Sequence, residues 1–456
     1  MSWSVALLCT AMACALLVLV RRTGVNLSLA SLLLSFLLLF HGPAYLFYTR
    51  QYGPDTDFYD VILEATKGHD VLPTLDLALA LTFFCVCLGI AFTDLATGTT
   101  VRRWRRALGE WSARPLQPDA GRRRFLAVAA LLAVCLLLPF VFIDGQLPKV
   151  VEFFTSDLSE WEKIALRREG GGSTFYLYNL ALANVVPFVA FGLFALAFAR
   201  ARGVAAWTAG FFVLVCIGKA ATLSKAPPVV FLLQVAIVWL LMRRLTLSWR
   251  NVAILAGLAI GLFVVAAWVA NPSGDELLVI LDFLFYRVFM IVNEGLLEYF
   301  AAIPAVIPHS WGTQASWIAA LFQSEPRLPT YFLVGEVHRG VLGSTTTVMF
   351  MGDAWADFAW FGVAVSGFFM GALARAIDVA LVVRRGKTVA TIAGIALGQY
   401  GLFVAMSTSM QTAMLTGGML LVVPLVAAMS PRRRRATPAR PAPEAAGHGP
   451  ASLATP

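Results

Sequence analysis

Stretches of about twenty apolar residues recur along this chain from Trp3 almost to Ser430, each long enough to cross the hydrocarbon core of a bilayer as a helix. A water-soluble fold has no place for so many. The chain is 59% hydrophobic and 13% charged over 456 residues, with a mean hydropathy of +0.77, and a soluble domain of this length carries roughly twice that charge. The reading is an all-α polytopic membrane protein with no room for a large independent soluble domain.

Apolar spans are expected at 3–20, 25–48, 73–93, 125–143, 175–199, 204–222, 226–242, 251–270, 354–382, 389–407 and 413–430, about eleven in all. They form a single transmembrane domain over 1–430, with 431–456 as a disordered tail rich in Arg, Pro and Ala. Charge orients them. Most of the 35 basic residues fall in alternate short loops: Arg21/Arg22, Arg102 to Arg124, Arg200/Arg202, Arg243 to Arg250, Arg375 to Lys387 and Arg432 to Arg440. Most of the 26 acidic residues fall in the others. Basic short loops stay cytoplasmic, so the N-terminus is expected outside and the C-terminus inside a bacterial inner membrane, with the tail held near anionic lipid. The first apolar stretch lacks a basic lead-in and a small-residue cleavage site, which reads as a retained helix.

The net charge of +9 is therefore a topology signal, and no nucleic-acid partner is expected. The six cysteines sit inside apolar spans, where a thiol packs as a small hydrophobe, and none has disulfide or metal spacing in a loop. No metal and no cofactor are expected.

Three outer segments stand out. Residues 49–72 carry Asp55, Asp57, Asp60, Glu64 and Asp70, an acidic loop that reads as a solvated face or as one that steers a cationic partner. Residues 144–174 place Val151, Phe154, Leu158, Trp161, Ile164 and Ala165 at helical spacing, with Ser159 and Glu162 as a capping box and Gly170 to Gly172 as a stop. That segment reads as an amphipathic helix on the membrane surface. The longest, 271–353, is a periplasmic loop of a length that is usually functional.

Within that loop Leu277 to Ile303 is apolar yet carries Asp282, Arg287, Asn293, Glu294 and Glu298, so it fits a helix buried against protein or dipping in from the outer face. Arg287 either pairs with Glu294 or Asp282, or holds an anionic headgroup. The run Gly335 to Thr346 combines glycines, hydroxyls and Arg339, which together suit tight turns and donation to phosphate or sugar oxygens. His338 and Glu336 are candidate bases, although a lone loop histidine is more often neither catalyst nor ligand. Asp353 and Asp357 share one helical face, a spacing that also suits capping, and no His or Cys accompanies them to make a metal site. Arg167, Arg168, Lys219, Lys225, Arg287 and Arg339 are the basic residues near outer span ends. Dipole complementation at a helix end accounts for Arg167 and Arg168, and snorkelling for Lys219 and Lys225. A lipid-linked diphosphate accounts for all six together, because fixed cations replace the water that would solvate its charge.

Ala221-Thr222-Leu223-Ser224-Lys225-Ala226-Pro227-Pro228 resembles the Ser-(Lys/Arg)-small-Pro junction of oligosaccharide repeat-unit polymerases, the O-antigen polymerase family. Gly343-Ser344-Thr345, leading into Asp353 to Gly362 and then Gly367 and Gly371, resembles the stretch in which that family's large outer loop enters a Gly-punctuated span. The likeness covers roughly 145–430. Thr346 departs from an expected Pro, and Ala359 stands where a Gly usually follows the aromatic residue.

The resemblance implies a GT-C-like membrane glycosyltransferase that joins undecaprenyl-diphosphate-linked oligosaccharide repeat units into a surface polysaccharide at the periplasmic face. Its implied partners are that lipid-linked substrate, membrane lipid and a chain-length regulator protein. Lys225, Arg287 and Arg339 would then bind diphosphate, with Arg167 and Arg168 as further candidates, and the base would be Glu336, His338 or Asp353. The alternatives are an O-antigen ligase, or a non-enzymatic lipid-linked oligosaccharide flippase or transporter, a class that usually shows internal repeats not found here.

Overall fold

The computed structural model describes residues 2–116, 121–142, 175–199, 203–220, 226–270, 277–314, 328–340 and 344–430, with a few positions between 149 and 162. The rest of the expected surface helix of 144–174, Arg167 and Arg168 included, the junction residue Lys225 and the 431–456 tail lie outside the described residues.

The regular elements among those residues are all helices, with one isolated bridge between Asn26 and Thr246. In chain order the helices are α1 (Trp3–Val18), α2 (Leu29–Phe40), α3 (Pro43–Phe47), α4 (Asp57–Glu64), α5 (Leu72–Thr97), α6 (Val101–Ala113) and α7 (Arg122–Phe142). There follow α8 (Phe175–Ala183), α9 (Val185–Phe198), α10 (Val204–Ala220), α11 (Ala226–Arg243), α12 (Trp249–Ala270), α13 (Leu277–Phe285) and α14 (Ile291–Ala302). The last are α15 (Thr330–Arg339), α16 (Phe350–Asp378), α17 (Val389–Ala405), α18 (Met410–Leu415) and α19 (Val422–Met429).

Among the described residues, six helical stretches are long and apolar enough to cross a membrane: Trp3–Thr23, Leu29–Asp55, Leu72–Thr97, Tyr178–Phe198, Phe350–Arg385 and Met410–Met429. Shorter apolar helices cover Val204–Lys219, Val229–Arg243, Trp249–Leu262 and Val389–Ala405. The chain is thus an all-α membrane protein. All six cysteines are free thiols, spread from the buried Cys85 to the exposed Cys14.

The principal helix pair is α5 against α16, and glycines set its spacing. A Cβ at Gly89 would lie 2.1 Å from the Phe368 carbonyl oxygen, and one at Gly371 would lie 2.2 Å from that of Val86. Without a hydrophobic drive between helices in lipid, such backbone approach is what gives van der Waals contact.

The helix ends that the charge pattern groups together do meet. Asp94 at the end of α5 takes Arg22 at 2.6 Å and the buried Arg375 of α16 at 2.7 Å, and Trp104 of α6 donates its indole N–H to the Thr23 carbonyl at 2.7 Å. Arg124 and Arg385 both reach Ser430. Asp378 accepts from the Leu29 and Ala30 amides at 2.8 and 2.9 Å, capping α2 with negative charge where its free N–H groups need it. At the opposite ends Asp76, fully buried, gathers Ser4, Tyr45 and Arg50. The candidate site lies toward those opposite ends, between α14, α15 and the start of α16.

Candidate functional site

The segment 277–302 changes character along its length. Its first half is exposed and apolar, with Leu278, Val279, Phe283 and Phe285 facing outward. From Ile291 to Ala302 nearly every residue is buried. A π-helical turn at Tyr286–Met290 joins the halves. Arg287 lies in that turn, exposed, with its guanidinium 5.0 Å from the Phe283 ring centroid. Among the described residues it pairs with neither Glu294 nor Asp282.

Glu294 and Glu298 stand one turn apart on α14 and face α15. Arg339, the last residue of α15, places Nη2 at 2.9 Å from one oxygen of the fully buried Glu298 and 3.8 Å from Glu294. Thr346 Oγ1 donates to the other Glu298 oxygen, and Tyr286 donates to Glu294 at 2.7 Å. Thr346 gets there because Gly295 lets the chain pass against α14; a Cβ at Gly295 would lie 1.8 Å from the Thr347 carbonyl oxygen. Burial lowers the Arg339 pKa, but the Glu298 charge and hydrogen bond together with Glu294 more than offset this and hold it as a cation.

His338, buried, contacts the Glu298 backbone carbonyl through Nε2 at 2.9 Å. A carbonyl only accepts, so Nε2 carries the proton and the free lone pair sits on Nδ1, which is buried without a partner. Burial pushes the pKa of this imidazole down, against the opposing hydrogen bond to Glu298. Glu336 is exposed on α15. The glycines of this segment serve the fold: Gly340 adopts φ +64° to end α15, and Gly335 admits the Ser344 backbone, whose carbonyl oxygen would lie 2.6 Å from a Cβ.

Asp353 is placed differently. It opens into a cavity of about 350 Å³, lined by Asp353, Asp357, Gln314, Tyr331, Phe361 and Ser409 among others. The cavity exists because α16 is broken inside its first half. Phe358 sits at φ −134°, ψ 23° and Ala359 at φ 49°, ψ −136°, a conformation that favours glycine. The break removes hydrogen-bond partners from the preceding turn, and the loop from α14 replaces them: Ser310 N–H donates to the Ala356 carbonyl and Trp311 N–H to that of Asp357, each at 3.0 Å.

Both carboxylates are held. Tyr299, the neighbour of Glu298 on α14, donates its hydroxyl to Asp353 Oδ1 at 3.0 Å. Asp357 accepts from Ser310 Oγ and, at 2.8 Å, from Gln314 Nε2. Gln314 is itself oriented by accepting from the Thr330 amide at 2.9 Å. Adjacent residues of one helix therefore fix the Arg339 turn and the cavity carboxylate. Among the described residues no three His, Cys, Asp or Glu side chains converge as metal ligands.

Of the sequence candidates, the structure brings Arg339 and His338 together around Glu298 and sets Asp353 in the cavity beside them, while Arg287 and Glu336 stand apart from both. Tyr299, Ser310, Gln314 and Ser409 carried no signal of their own in the sequence. The i, i+4 pair Glu294/Glu298 did carry one, since carboxylates are rare in an apolar helix. No family model matches the chain, and no curated protein or solved structure matches it significantly.

Proposed function

We propose that this chain is a membrane glycosyltransferase of the repeat-unit polymerase kind, crossing the bacterial inner membrane about eleven times with its N-terminus outside and its C-terminus in the cytoplasm. The observation that carries the reading is the cavity at the break in α16, where Asp353 is aimed into a space lined by both aromatic and hydrogen-bonding side chains. A pyranose has apolar faces and a rim of hydroxyls, and a mixed lining of this kind suits it.

In the proposed reaction a hydroxyl of the acceptor sugar attacks the anomeric carbon of the glycan carried on undecaprenyl diphosphate. The carbon–oxygen bond to the diphosphate breaks, the diphosphate leaves with the electron pair, and the hydroxyl proton passes to Asp353. Tyr299 holds one carboxylate oxygen of Asp353, a residue that lines the cavity. Of the three candidate bases, Asp353 alone lines the cavity. Arg339 holds Glu298 and Glu294 through Nη2 and, with its side chain 31% exposed, keeps further N–H donors for a diphosphate, while Arg287 is exposed and free of carboxylates among the described residues. Lys225, Arg167 and Arg168 complete the proposed cation set.

A strain lacking the chain tests the reading against its closest rival. Accumulation of single lipid-linked repeat units supports a polymerase, whereas accumulation of long lipid-linked polymer contradicts it and points to a ligase.

A further inference from the structure

Resting on the glycosyltransferase reading, we infer that the cavity admits a terminal sugar bearing no acid group, a neutral or amino sugar, and that Asp353 and Asp357 exclude uronic and other acidic sugars. Both carboxylates line the cavity, and among its described lining residues there is no lysine, arginine or histidine. The other groups that face them are uncharged donors: Tyr299, Ser310 and Gln314, with the Ser409 hydroxyl and Tyr331 beside Asp353. The cluster's cation, Arg339, belongs to Glu298 and Glu294 through its own contacts, and it does not line the cavity.

A uronate entering this space would bring another negative charge against fixed carboxylates where little water screens them. An amino group would meet opposite charge, and a plain hydroxyl would find acceptors in the carboxylates and both partners in Gln314, Ser409 and Gln411. The size agrees: 350 Å³ is near the lower end of small-molecule sites, about 300–1,000 Å³, which suits one sugar ring rather than a chain. The selectivity acts on the acceptor's terminal residue, since the attacking hydroxyl must lie at Asp353.

The test uses the purified full-length chain in detergent at neutral pH and ligand-observed NMR. The probes are methyl glycosides of gluco, galacto and manno configuration, their 2-amino-2-deoxy counterparts and their uronic acids. At least one neutral or amino glycoside should bind, and the uronate of the same configuration should bind at least about tenfold more weakly. In Asp357→Asn, which keeps an oxygen to accept from Ser310 and Gln314, the gap should shrink to about twofold; Asp353→Asn should shrink it likewise if Asp357→Asn does not fold. Equal binding of uronates, a gap that survives in both variants, or no glycoside binding at all overturns the inference. The glycosyltransferase reading is scored separately, on lipid-linked substrate. Polymerisation with equal uronate binding refutes the selectivity alone, and selective glycoside binding without polymerisation refutes the activity alone.

Discussion

Ala359 occupies a backbone conformation with φ 49° and ψ −136°, where a Cβ is crowded and glycine is not. Holding a non-glycine residue there costs on the order of 1–3 kcal/mol. Ala359→Gly is therefore expected to stabilise the protein by about 1 kcal/mol, seen as a higher thermal midpoint in detergent; an unchanged or lower midpoint would show that the break is not strained. This is also the position where the sequence departs from the Gly expected by resemblance, so the departure was legible but its consequence, a break that opens a cavity, was not. His338 gives a second prediction. Its pKa is lowered by burial, so folding is favoured by the neutral form: that contribution is fully present above the ordinary value near 6.5 and is lost as pH falls through the folded value. Thermal stability should drop between pH 7.5 and pH 5, and His338→Asn should flatten that drop. A drop of the same size in the variant would assign it to other groups.

At the scale of elements, α5 and α16 approach through glycines on both helices. Gly371→Leu forces the backbones apart at Val86 and should destabilise by about 1–3 kcal/mol or more, read as loss of the monodisperse peak on size exclusion; Leu373→Ala, only partly buried, is the milder control. A Gly371→Leu protein as stable as the parent would contradict the close approach. The helices themselves were legible, because apolar runs between arginine-rich loops leave a helix little alternative in lipid. The contacts that build the site were not. Glu298 and Arg339 are 41 residues apart, Tyr299 and Asp353 are 54 apart, and nothing in their local sequence says that α14 turns one residue toward each. Even the mixed nature of 277–302 was visible only as charges in an apolar run; the structure resolves it into an exposed half with Arg287 and a buried half with Glu294 and Glu298. Of the glycines read as turn positions, Gly340 does turn the chain at a helix end, whereas Gly335 serves chain–chain contact. Spacing alone does not distinguish those uses.

Over the whole molecule, basic residues collect at one set of helix ends, where Asp94, Arg375, Arg124 and Arg385 knit them together, and the candidate site lies at the other. That second face is proposed to be periplasmic. A cysteine introduced at Ser112 of α6 in a chain with its native thiols replaced should react with membrane-permeant but not with impermeant maleimide in intact cells, and labelling by the impermeant reagent would invert the topology. The proposed chemistry runs on fixed cations and a carboxylate, so activity should survive a chelator. Asp353 is proposed as the base of a glycosyl transfer, and polymerisation of a defined lipid-linked repeat unit by purified protein tests that role. Asp353→Asn is expected to slow turnover by about 100-fold or more, the usual worth of a general base, while Glu336→Gln stays within about threefold of the parent, since an exposed residue away from the cavity contributes no such step. Full-rate polymerisation by Asp353→Asn, or loss of it in Glu336→Gln, would contradict the assignment.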